Sequence, residues 1–201
     1  MGESPMRWNL GVVGIAFYGA LLGLCLALDR WLPEVFGWRW TGPLGPGWEA
    51  TAGLVLGVLV VLVTWAIVRF SQRGYWLSRR LALATQPLPG WSLGPLAIAA
   101  GVAEEACFRG ILWTPVEYGL GTPFGPPVAL VATSILFAWA HGGGKSGLRT
   151  WTLFALVTSV VLGGLRWWSG SLLAPMVTHA LVDLIHLPLL RYRQEPLDEE
   201  P

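Results

Sequence analysis

Two stretches, Leu10–Leu28 and Ala50–Phe70, run without a charge except for Arg69 near the end of the second. Each matches the roughly 20 apolar residues that cross a bilayer as a helix. Burying backbone polar groups in hydrocarbon leaves only helices or closed barrels as solutions. The runs are long and continuous, so the expected fold is all-α: a polytopic integral membrane helical bundle. Composition agrees. Only 12% of the 201 residues are charged and 54% are apolar, against about 25% charged in a soluble domain. A disordered chain, a coiled coil and an ordinary water-soluble enzyme are excluded.

Four further runs qualify more loosely: Leu93–Trp113, Phe124–Ala140, Trp151–Trp168 and Leu172–Leu190. The expectation is six spans, with seven as the competitor if the third run divides. The whole chain, 1–201, reads as one membrane domain, with a motif-bearing core over 94–190 and a charged tail over 191–201. Basic residues in short loops favour the cytoplasm. The loop Arg69–Arg80 holds Arg69, Arg73, Arg79 and Arg80 and no acid; Lys145 and Arg149 follow the fourth run, and Arg191 and Arg193 the sixth. Six spans with both termini cytoplasmic put all of these inside. Only Arg166 is left outside, in a short hairpin. The loop Asp29–Glu49 mixes both signs and reads as external.

The net charge of +1 says nothing about nucleic acid, but no basic, aromatic-interleaved patch appears, so no nucleic-acid partner is expected. Cys25 and Cys107 lie in separate apolar runs with no CxxC, which argues against a metal knuckle or disulfide framework. Trp8, Trp31, Trp48, Trp91, Trp167 and Trp168 flank apolar runs, as anchors at the headgroup level do. The first run is longer than the core of a signal peptide, about 7–15 residues, and reads as a retained span.

The remaining ionisable groups are set inside apolar runs, where charge is costly and marks function by default. They are Glu104, Glu105, Arg109, His141, His179, Asp183 and His186. On a helix, Glu105 and Arg109 share a face at i,i+4, while Glu104 is turned about 100° away. One glutamate is thereby paired and the other free for chemistry, although a buried ion-pair staple would use the same trio. Phe137 and His141 share a face next to Gly142-Gly-Gly144, which ends a helix. A histidine there also suits the negative end of the helix dipole. His179, Asp183 and His186 form a stripe that would equally stitch two helices. His186 is read as structural.

Together these residues spell EExxxR, FxxxH and HxxxD, in order and on separate runs. The arrangement resembles the CPBP family of intramembrane glutamic endopeptidases, which includes the type II CAAX prenyl proteases and the bacterial bacteriocin-processing or self-immunity (ABI) proteins. The segment Gly170–His179 is similar to the family's approach to its third motif, and the resemblance covers roughly Gly94–Leu190. The first two spans carry no diagnostic residue. The resemblance implies peptide-bond hydrolysis without a covalent intermediate, cofactor or metal. Glu104 and His141 would activate water, Glu105 and Arg109 would support the site with Phe137, and His179 and residue 183 would serve the oxyanion. An ionised Asp accepts but does not donate, so the expected role of Asp183 is to orient His179, as the third member of a triad does.

A general base suits this setting, because burial moves a carboxylate toward the working pH. The implied partners are a protein or peptide substrate and the lipid bilayer. A CaaX tail, a peptide precursor and a C-terminal sorting signal are all open as substrates. The Arg-rich, nearly Lys-free composition suggests a high-GC genome, and a prokaryotic inner membrane is the expected location. Two other classes stay open at this point. A metal-dependent protease would use the same His, Glu and Asp types, though HExxH is absent. A proton relay in a transporter or an inactive scaffold or immunity protein would need no hydrolysis; the lack of a visible inverted repeat weighs against a transporter.

Overall fold

The computed structural model describes residues 5–85, 87–142 and 149–192, and every regular element among them is helical. In chain order these are α1 (Pro5–Trp31), α2 (Pro33–Phe36), α3 (Pro46–Phe70), α4 (Gln72–Thr85), α5 (Gly90–Glu105), a π-helical segment (Ala106–Leu112), α6 (Trp113–Leu120), α7 (Gly125–Gly142), α8 (Arg149–Ser169) and α9 (Leu173–Tyr192). The all-α bundle expected from the apolar runs is therefore the architecture. Among the described residues, four helices are long and apolar enough to cross a membrane: Leu10–Trp31, Pro46–Phe70, Arg149–Ser169 and Leu173–Leu190.

Polarity is distributed as lipid demands. Leu54, Val55, Val58, Leu59, Leu62 and Val63 face outward from α3, while Glu104, Glu105, Arg109, Thr133, Ser134, Ser159 and Thr178 are buried. A continuous exposed apolar surface of this kind is unfavourable in water and favourable in hydrocarbon. Trp31 and Trp48 are well exposed at the α1 and α3 ends that meet the intervening loop, a position suited to the headgroup layer.

Small residues set the helix contacts, as is usual where lipid removes the hydrophobic drive for association. Gly11 and Gly14 of α1 lie against Ser92 and Leu96 of α5, so these two helices run parallel. Gly53 and Gly57 of α3 meet Ala174 and Leu181 of α9, again in parallel. Gly101 of α5 touches the backbone of Ala180, and Gly94 faces Leu184, so α5 and α9 are antiparallel. Leu130 of α7 meets Gly163 of α8 while Ala138 packs on Ala155, an antiparallel pair. The long helices thus alternate in direction along the chain.

Four local expectations are corrected. The stretch Arg69–Arg80, read as a loop, is largely helix α4, which packs on α3 and α9. The third run does not stop at Trp113; it continues through the π-helical segment to Leu120. Arg166 is not a free loop charge: it is 7% exposed and its Nη2 lies 3.5 Å from Glu117 Oε2. Glu49, assigned to an external loop, is also fully buried. It accepts from the Gly42 N–H at 2.7 Å and the Ser171 hydroxyl at 2.6 Å. With the Leu172 and Leu173 N–H groups donating to the Arg39 and Trp40 carbonyls, this ties the α2–α3 loop to the start of α9. The tail beyond 192, and Gly143, Gly144 and Lys145, lie outside the described residues.

Candidate active site

The two glutamates end α5, and the helix widens into π geometry at the next residue. Such single-turn widenings recur at functional sites because they redirect side chains. Here Glu105 and Arg109 still meet, with Nη1 donating to Oε1 at 2.9 Å, and neither side chain is exposed. Arg109 Nη2 reaches α8, donating to the Ser159 hydroxyl at 2.7 Å and carbonyl at 3.0 Å. The guanidinium also sits 4.8 Å from the centre of the Phe137 ring, within cation–π range. One arginine therefore joins α5, α7 and α8.

Phe137 is the floor of the site. Its ring stacks on His141 at 4.1 Å, meets His179 edge-on at 5.9 Å and Phe108 at 5.0 Å. His141 stands in the last turn of α7, and its Nδ1 lies 2.8 Å from the Phe137 carbonyl oxygen. A carbonyl only accepts, so Nδ1 carries the proton. In the neutral ring Nε2 is then an acceptor, and it faces Glu104 Oε2 at 3.5 Å. His179 comes from α9. Its Nδ1 donates to Glu105 Oε1 at 2.8 Å, and its Nε2 lies 4.0 Å from Glu104 Oε2.

The motif residues Glu104, Glu105, Arg109, Phe137, His141, His179 and Asp183 are thus brought into one cluster. The division among them differs from the expectation in one respect. Glu105, and not Asp183, holds His179 Nδ1. Asp183 Oδ2 lies 3.7 Å from the other ring nitrogen, Nε2. The reason is register: α5 and α9 touch at Gly101 and Ala180, which carries Glu105 alongside His179. His186 stands on the same helix, seven residues after His179. Exposure grades across the cluster, from none at Glu105 and Arg109 to 23% for the His141 side chain and 29% for that of Asp183. Access is therefore from the His141–Asp183 side.

One site residue escaped the sequence reading. Tyr18, from α1, donates its hydroxyl to Glu104 Oε1 at 2.8 Å. The only hint was a lone hydroxyl within an otherwise apolar run. Glu104 Oε2, by contrast, is buried and has no hydrogen-bonding partner among the described residues. Among the described residues, no three His, Cys, Asp or Glu side chains are placed to hold a metal ion.

Residues 86–185 match a family described as type II CAAX prenyl endopeptidase Rce1-like. A Bacillus subtilis (strain 168) protein called uncharacterized protein YpbD is 27% identical over 153 residues, which span 73% of this chain and 71% of that protein. No solved structure matches the chain.

Proposed function

The chain belongs to the CPBP family, with an Rce1-like core, and on that premise we propose that it is an intramembrane endopeptidase that hydrolyses a peptide bond with a Glu104- and His141-activated water. The observation that carries this reading is the pair of acceptors, Glu104 Oε2 and His141 Nε2, held 3.5 Å apart. Neither can donate to the other when Glu104 is ionised and the imidazole neutral. A water molecule can donate one O–H to each, which leaves an oxygen lone pair directed outward for attack.

The steps follow from the residues. Glu104 takes the water proton as oxygen attacks the scissile carbonyl carbon, and His141 holds the nucleophile in line. General-base assistance of this kind contributes about 10²–10⁴-fold. When the His179 ring carries both protons, Nδ1 gives one to Glu105 and Nε2 offers the other to the developing oxyanion. Glu104 then returns its proton to the leaving amine, and no covalent intermediate forms.

A farnesylated CaaX peptide serves as the probe, after the matched family's description; in a bacterial host, without prenylated substrates, a peptide precursor or a C-terminal sorting signal takes the same chemistry. The site of action is a prokaryotic inner membrane, crossed six times with both termini cytoplasmic. The test is cleavage of a farnesylated CaaX peptide by the purified, reconstituted protein, read by mass spectrometry. Glu104→Gln is expected to lose at least ~100-fold in rate while melting like the wild type. Full activity in Glu104→Gln refutes the glutamate mechanism. Loss of wild-type activity on exhaustive chelation, restored by a divalent ion, would instead support the metal-dependent reading.

A further inference from the structure

The helix that carries none of the family motifs reaches the centre of the site. Leu10–Leu28 contains two side chains with a heteroatom, Tyr18 and Cys25. A hydroxyl in the hydrocarbon layer needs a partner, and Tyr18 uses Glu104 Oε1, at 2.8 Å. The placement is built. Gly11 and Gly14 lie on the same helix face as Tyr18, and a Cβ at either would sit within 2.9 Å of α5 side-chain atoms of Ser92 or Leu96. Below Tyr18 on that face, Leu21, Leu22 and Cys25 pack into a buried cluster with Trp38 and Ala106. Glycines above and this cluster below hold α1 against α5.

A carboxylate has two equivalent oxygens and can present either one by rotating its last torsion. In this site they are not equivalent. Oε1 is occupied by Tyr18, while Oε2 is buried, has no hydrogen-bonding partner among the described residues, and faces both histidine Nε2 atoms. We infer that Tyr18 is a positioning residue for the reaction: by holding Oε1 it fixes the Glu104 carboxylate plane and reserves Oε2 as the base. The inference rests on the reading of Glu104 as the base.

Removing only the hydroxyl separates this role from packing. The full-length protein, reconstituted in liposomes, is assayed on a fluorescence-quenched farnesylated CaaX peptide. The expected result for Tyr18→Phe is a kcat lower by about 10- to 100-fold, as for a reacting group misplaced by a fraction of an ångström to an ångström. KM and the melting temperature stay at wild-type values. Val13→Leu, on the exposed face of the same helix, keeps full kcat. Unchanged kcat in Tyr18→Phe overturns the inference. So does a fall in melting temperature or a rise in KM with kcat retained, because that marks a packing residue. A wild type that does not cleave the probe, or cleaves it equally well as Glu104→Gln, removes the proposed function and this inference with it. Wild-type cleavage that depends on Glu104 but not on Tyr18 removes this inference alone.

Discussion

Arg109 is the most constrained side chain in the cluster. It is fully buried, its Nη1 serves Glu105 and its Nη2 serves Ser159. Breaking a buried pair by removing one partner costs about 3–5 kcal/mol, because the other charge is left uncompensated. Arg109→Ala is therefore expected to lower the melting temperature and yield in detergent well before any question of catalysis. Arg109→Lys is expected to rescue little, since an ammonium cannot hold the two-nitrogen fork that reaches α5 and α8 together. Differential scanning measurements on the two variants check this; a normally stable Arg109→Ala protein contradicts it. At this scale the motif residues were legible because ionisable groups are rare in apolar runs and stand out. Tyr18 was not. A tyrosine is common at a membrane boundary, and nothing in its own run reveals a carboxylate contributed from 86 positions away. The task of holding His179 fell to Glu105 for the same reason, because sequence spacing shows i,i+4 neighbours and hides partners on other helices.

Between elements, the site depends on how closely α5 and α9 approach. A Cβ on Gly101 would lie 2.6 Å from the Ala180 backbone nitrogen and 2.8 Å from its Cα. Backbone cannot yield as a side chain does, so Gly101→Val is expected to push the helices apart. His179 then leaves both Glu105 and Glu104, and a 1 Å shift costs on the order of 100-fold in rate. Gly94→Ala on the same helix has only the end of Leu184 nearby, at 4.0 Å, and is expected to keep activity. Comparing kcat of the two variants tests the argument; equal rates would show that the approach at Gly101 does not position the site. The six apolar runs all became helices, since length and apolarity report element type directly. Less legible were the widened turn after Glu105 and the helix α4. The widened turn leaves no mark in residue spacing, and α4 sets Arg73, Arg79 and Arg80 among Tyr, Trp, Leu and Ala, so its apolar face was masked by the basic count.

Across the whole molecule, orientation is expected to follow the end that is richer in basic residues. The α3–α4 end carries Arg69, Arg73, Arg79 and Arg80, and α8 begins on that side at Arg149. At the opposite end, Arg166 is buried against Glu117 and Arg39 shares its loop with Asp29, Glu34 and Glu49. Arg30, Arg39 and Arg166 at that end are matched by Asp29, Glu34, Glu49 and Glu117, so it carries no excess of positive charge. The alternating helix directions require that α1 and α5 start on one side and α3 and α9 on the other. If α4 is cytoplasmic, so are the N-terminus and the end of α9. Green fluorescent protein fused to either terminus is then expected to fluoresce, and alkaline phosphatase inserted at Gly45 or at Gly121 to be active. Phosphatase activity from an insertion after Arg80 would invert the assignment. Replacing Arg69 and Arg73 with Glu should raise phosphatase activity at that position and lower it at Gly45, because these charges, and not the apolar runs, choose which way the bundle faces.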